Sequence, residues 1–362
     1  MATKNAEALA RRVEDADVEV LGLMYRAHME LATGEIRPAL AHLDEAGAAV
    51  LAGTVSPWVC GFVFCGIIWA YLDRGDIGRA SQWTEQFIRW CGRNAAFGFP
   101  GLCRLHRGEV LCVQGDLRAA ESEIEKARTL LAESARYAEG DAYRVLGDIR
   151  LLRGDLAGAE EAFHRAHELG WHPLPGLATV KAENGRFAAA IKSLQRGLGS
   201  PTWADGQRRG ILLAELARIA AASGRDELAR GAMRELEKSS DLRTAPGCEA
   251  AFHRARAEIS FAAGDCDGAV TALRASIKVW LDVGSRINAA HVRLRLARIL
   301  AHAGEKDDAL LELSSAQSAF EKMDAKPMVS RCEAVRKEIA AALRAVEPSR
   351  RKDNSRSARR ES

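Results

Sequence analysis

The sequence predicts an all-α fold, a solenoid of about eight helix-turn-helix units of ~40 residues wound into a right-handed superhelix. Three observations predict it. Eight glycines, Gly34, Gly75, Gly115, Gly154, Gly185, Gly224, Gly264 and Gly304, recur at intervals of 41, 40, 39, 31, 39, 40 and 40 residues. Each is followed five residues later by an alanine: Ala39, Ala80, Ala120, Ala159, Ala190, Ala229, Ala269 or Ala309. Seven residues before each stands Ala27, Ile68, Gly108, Gly147, Ala178, Ala217, Ala257 or Ala297, small in seven of eight cases.

Each part of the unit has a physical reason. The small residue and the alanine mark where two helices must touch closely. The glycine between them takes positive φ at the end of the first helix without a Cβ clash. The next residue is Glu35, Asp76, Asp116, Asp155, Asp265 or Glu305 in six units, and Arg186 or Arg225 in the others. An acidic side chain there accepts from free backbone N–H groups and favours the positive end of the second helix. Apolar residues recur every three or four positions, as in Val145, Leu146, Ile149 and Leu152, and no segment alternates as a strand would. This spacing is that of the tetratricopeptide (TPR) repeat, with units longer than its usual 34 residues and therefore longer helices.

Taken in order, the charged stretch Ala6–Val18 reads as an N-terminal cap. Residues 55–72 contain 18 uncharged residues, the lower length of a membrane span, but Tyr71 and the Asp73-Arg74-Gly75 turn arrive on the repeat's schedule. A solenoid helix buried on two sides is therefore expected, and no membrane. The short interval holds Gly170-Trp171-His172-Pro173-Leu174-Pro175-Gly176, which ends one helix and kinks the superhelix before the next. Val329–Leu343 reads as the C-terminal cap, so the domain is 1–343 and a monomer is expected. Residues 344–362 carry seven basic and three acidic residues, net +4, leaving −1 for the rest of the chain. That segment is expected to be a disordered basic tail, and the body has no basic surplus for nucleic acid.

Chemistry is sparse. The eight cysteines are irregularly spaced without a leader ahead of them, so reduced thiols in a cytoplasmic protein are expected. Cys103, His106 and Cys112 share a helix but lack the second close pair of a zinc site, and no metal or other cofactor is expected. No phosphate loop, nucleophile elbow, His-Glu-x-x-His or dinucleotide fingerprint occurs. His106 with Glu109 and His253 with Glu258 are isolated pairs of the kind found on helix surfaces, so no enzyme is expected.

The concave face of such a solenoid is lined by the first helix of each unit. The residues six before each glycine are His28, Trp69, Glu109, Asp148, Thr179, Arg218, Glu258 and Arg298, with Arg144 and Arg254 one turn before Asp148 and Glu258. Such a mixed-charge groove suits a peptide or an extended protein partner. The alternative is a solvated face of weak ion pairs, worth ~0.3–0.5 kcal/mol each. A second class of function is a small-effector sensor, with an enclosed pocket and aromatic walls around Trp69, Trp90, Trp171 and Trp203. A third is a decayed remnant, against which the small and apolar phases survive in every unit.

Two segments resemble the repeat region of large actinobacterial LuxR-type transcriptional regulators, over roughly residues 20–340. Thr84-Glu85-Gln86-Phe87-Ile88-Arg89-Trp90-Cys91 followed by Cys103-Arg104-Leu105-His106-Arg107-Gly108-Glu109 is similar to the family's W-T-x5-W-C … C-x-x-H-R-A-E segment. Glu168-Leu169-Gly170-Trp171 with Pro173-Leu174-Pro175-Gly176-Leu177-Ala178 is similar to its E-L-G-x-x-P-x-P-G-L-A turn. The resemblance implies a sensor or partner-binding module. With a charged helix before the match and an Arg-rich tail after it, the family's ATP-binding domain and helix-turn-helix are expected to be absent, so DNA binding is not implied.

Overall fold

A computed structural model describes residues 15–94, 100–134, 138–199 and 203–357. Their helices pair in chain order as α1 (Ala16–Thr33) with α2 (Ile36–Ala52), α3 (Pro57–Arg74) with α4 (Ile77–Arg93), α5 (Pro100–Gln114) with α6 (Leu117–Ser134), and α7 (Glu139–Arg153) with α8 (Leu156–Glu168). They continue as α9 (Gly176–Glu183) with α10 (Phe187–Gly199), α11 (Trp203–Ala222) with α12 (Asp226–Lys238), α13 (Pro246–Ala262) with α14 (Cys266–Asp282), and α15 (Arg286–Ala303) with α16 (Lys306–Lys322). The chain is thus a TPR-like solenoid of eight hairpins followed by α17 (Lys326–Ser357). Every repeat glycine sits at a hairpin turn with positive φ, from +71° at Gly224 to +94° at Gly115. All eight following alanines are fully buried.

The acidic residue after the glycine splits by length. Asp76, Asp116, Asp155 and Asp265 each accept from the backbone N–H three residues on. The longer Glu35 and Glu305 make no such cap. At the short interval, Pro173 and Pro175 delay the start of α9, which keeps only 8 residues. Gly176 opens it because a Cβ there would lie 2.2 Å from Phe163 Cζ.

Most of the cap expected at Ala6–Val18 lies outside the described residues, and α1 begins at Ala16. The last helix runs to Ser357, past residue 343, after which the disordered basic tail is expected to begin. No helix among the described residues is long and apolar enough to cross a membrane.

The superhelix is wound tightly instead of extending. The first helix of hairpin one packs on that of hairpin six, α1 on α11. The turn of hairpin two meets the start of hairpin seven, where Gly247 N–H donates to the Gly75 carbonyl at 3.0 Å. A Cβ on either glycine would lie under 3 Å from the other's Cα. Gly115 in hairpin three faces Ile287 and Met323 of hairpin eight, and Gly154 in hairpin four faces Pro327 and Met328 of α17. Units one to four thus stack on the elements five units further along.

Candidate functional site

Most of the polar residues expected on the concave face are used inside the protein. Arg144 is buried and donates to Asp141 at 2.6 Å, Glu109 at 2.8 Å and Asp148 at 3.0 Å. Burial pushes the carboxyls of Asp148 and Glu109 up against the pull of Arg144, Glu109 to about 7. Next to this cluster, buried Asp73 accepts from Arg208 Nε at 2.9 Å and Nη2 at 2.5 Å, joining hairpin two to hairpin six. Further along, Arg218 holds Glu215 at 2.7 Å, with Arg254 on the other oxygen at 3.8 Å. Glu258 pairs with both arms of Arg295 at 2.6–2.7 Å, not with Arg254 one turn earlier. Arg298 is half-buried, and burial first and Arg331 second lower its basicity. Glu109, Asp148, Glu215 and Arg254 line a cavity of about 560 Å³ together with Thr179, Glu183 and His291. Many of the polar side chains expected to face a partner thus also bond to one another within the solenoid.

His28 and Trp69 lie elsewhere. They line a second cavity of about 700 Å³, built by the first helices of hairpins one to three with Ala138, Asp141 and Trp171. Along α3 its wall is Phe62, Cys65, Gly66 and Trp69, spaced as one stripe of a helix. The opposite stripe, Val59, Val63, Phe64, Ile67 and Tyr71, is core. Both faces of α3 are thus apolar for different reasons, which accounts for the uncharged run 55–72. His28 stacks obliquely on Trp69 with ring centroids 5.5 Å apart, and Trp69 on Trp171 at 6.3 Å. The rim continues outward through Tyr25, Phe62 and Trp58, whose centroids are 5.7–6.0 Å apart. Tyr25, Met29 and Trp58 are 53%, 60% and 56% exposed.

The pocket wall carries few ionisable groups. Asp141 is held by Arg144 beneath it. Burial lowers His28 and His106 to about 4, so both rings are uncharged near neutrality. The Nδ1 atom of His106 is buried and has no hydrogen-bond partner among the described residues.

Of the four tryptophans expected to wall an effector site, Trp69 and Trp171 do so. Trp90 instead packs on Phe64 and Phe87, and the side chain of Trp203 lies outside the described ones. The His/Glu pairs separate: Glu109 belongs to Arg144, and His253 faces Glu249 at 3.2 Å. Cys112 is buried in the core while Cys103 approaches Cys91. Among the described residues no group of His, Cys, Asp or Glu could hold a metal ion.

No family model matches the chain, and no curated protein matches it in sequence. Solved structures do resemble it. A chain of the APC/C Cut9–Hcn1 hetero-tetramer superposes with a TM-score of 0.56 at 14% identity, over 91% of this chain and 58% of that one. The NprR–NprX peptide complex gives 0.46 at 13% identity, over 78% and 87% of the two chains. A Rap protein with competence and sporulation factor gives 0.41 at 13%, over 85% and 76%. The first of these shows the helical-repeat fold; this chain spans little more than half its length.

Proposed function

We propose that this chain is a non-catalytic interaction module, and that its binding site is the apolar pocket between hairpins one and four. The observation that carries this reading is the pocket's apolar wall: Trp69, Trp171, Met24 and Phe62 around an open cavity gain from covering. The occupant is a neutral aromatic or large aliphatic group, because both histidines are uncharged near neutrality and most of the wall is apolar. The exposed Tyr25, Met29 and Trp58 extend the apolar surface beyond the cavity, which favours a partner peptide or protein that anchors one side chain inside and lies along this ridge. The resemblance of the Cys91 and Trp171 segments to regulators of the LuxR type supports a regulatory setting for that partner.

A small effector is the second reading, favoured by a volume within the ~300–1,000 Å³ range of ligand pockets. Titration with the neutral fluorescent probe N-phenyl-1-naphthylamine tests the site itself. We expect saturable one-to-one binding that is abolished by Ala32→Trp, which fills the pocket from its half-exposed wall, and unchanged by Leu311→Ala on a remote surface. Absence of saturable binding, or binding indifferent to Ala32→Trp, refutes the assignment. Trp58→Ala separates the two readings: it weakens an extended partner that uses the ridge and leaves a small effector untouched.

A further inference from the structure

The end of α4 and the start of α5 carry a feature that ligand binding does not use. Cys91, in the last turn of α4, and Cys103, in the first turns of α5, bring their sulfur atoms to 3.5 Å. Both side chains are only half-buried, whereas Cys60, Cys65, Cys112, Cys248 and Cys332 are buried. We propose that Cys91 and Cys103 are a reversible dithiol–disulfide pair that staples α4 to α5 when the protein meets a peroxide. Closing the gap requires an approach of about 1.5 Å to the ~2.05 Å of a disulfide, within reach of two side-chain rotations at a helix end.

The chemistry balances with hydrogen peroxide as oxidant. The Cys91 thiolate attacks one peroxide oxygen and the O–O bond breaks. Hydroxide leaves, takes a proton to become water, and Cys91 is left as a sulfenic acid. The Cys103 sulfur then attacks that sulfur as its own proton departs, the S–O bond breaks and a second water leaves. Two thiols are oxidised and one peroxide is reduced to two waters. Cys91 suits the attacking role, since the Cys103 thiol beside it lowers its pKa by hydrogen bonding more than burial raises it. Burial pushes the thiols of Cys65, Cys112, Cys248 and Cys332 upward, which keeps them as unreactive thiols. The staple would lie against the pocket, since Leu102, Leu105 and His106 of α5 form part of its wall.

The test is peptide mapping of the intact chain after mild peroxide treatment under native conditions. Trypsin separates Cys91 and Cys103 by cutting after Arg93, leaving fragments 90–93 and 94–104. The expected product is these two fragments joined, 2 Da lighter than their sum, separated again by dithiothreitol and absent from Cys91→Ser and Cys103→Ser. The oxidised wild type should also unfold at a higher temperature than the reduced one, an increase missing from both variants. Additions of 16 or 32 Da on single cysteines without the cross-link, or a cross-link to any other cysteine, would overturn the proposal. The single substitutions are at half-buried positions, and unchanged circular dichroism establishes that they fold.

Discussion

Arg144 is the side chain on which the interior depends most. It is 6% exposed and answers three carboxylates at once. Replacing it with alanine strands Glu109, Asp141 and Asp148 together, and breaking a buried pair in this way costs about 3–5 kcal/mol. The loss should also depend on pH. Without the guanidinium, the carboxyls of Glu109 and Asp148, already raised by burial, rise further, so the folded state binds protons that the unfolded state has released. The Arg144→Ala variant should therefore be more stable at pH 5 than at pH 8, measured by urea unfolding; a pH-independent deficit would contradict the account. His106 acts in the opposite sense. Its folded pKa of about 4 lies below the ordinary histidine value, so its contribution is complete above about 6.5 and is lost as pH falls toward 4. His106→Phe should lose less stability between pH 7 and pH 5 than the wild type. Binding of a neutral probe should stay constant from pH 8 to about 5, because both pocket histidines are uncharged across that range.

Within each hairpin, the glycine at the turn does a job that its neighbours make more or less severe. Gly224 has φ of +71° with open space around it, whereas Gly75 at +73° also touches Gly247. Gly224→Ala should cost only the left-handed conformation, about 1–2 kcal/mol. Gly75→Ala should cost distinctly more, because its methyl would lie 2.7 Å from the Gly247 Cα. Equal losses in thermal unfolding would mean that the inter-turn contact is not made. The hairpins themselves were legible in the sequence because the Gly-to-Ala spacing is local: Ala39 and Ala309 are buried by partners one helix away. The pocket wall on α3 was legible only as excess apolarity. Trp58, Phe62, Cys65 and Trp69 form a second stripe, which a sequence shows without saying whether a helix, a membrane or a ligand covers it.

The winding of the solenoid was not legible. Its turn of about five units follows from small rotations between hairpins, and no residue type signals them. Gly247 looks like any glycine after a proline until Gly75 is seen against it, and Asp73 and Arg208 stand 135 residues apart. For the same reason the partners Arg208 and Arg295, which answer Asp73 and Glu258, could not be assigned from the sequence. Gly247→Val should loosen this winding, raising the radius of gyration in solution scattering while helical content by circular dichroism stays unchanged. The central claim, that partners use the apolar pocket and not the charged interior, is tested most directly by selecting a random peptide library on the intact chain. The selected peptides should carry aromatic or large aliphatic anchors, lose at least tenfold in affinity for Ala32→Trp and bind Arg298→Glu as well as the wild type. Acidic or basic peptides that ignore Ala32→Trp and are lost with Arg298→Glu would contradict it.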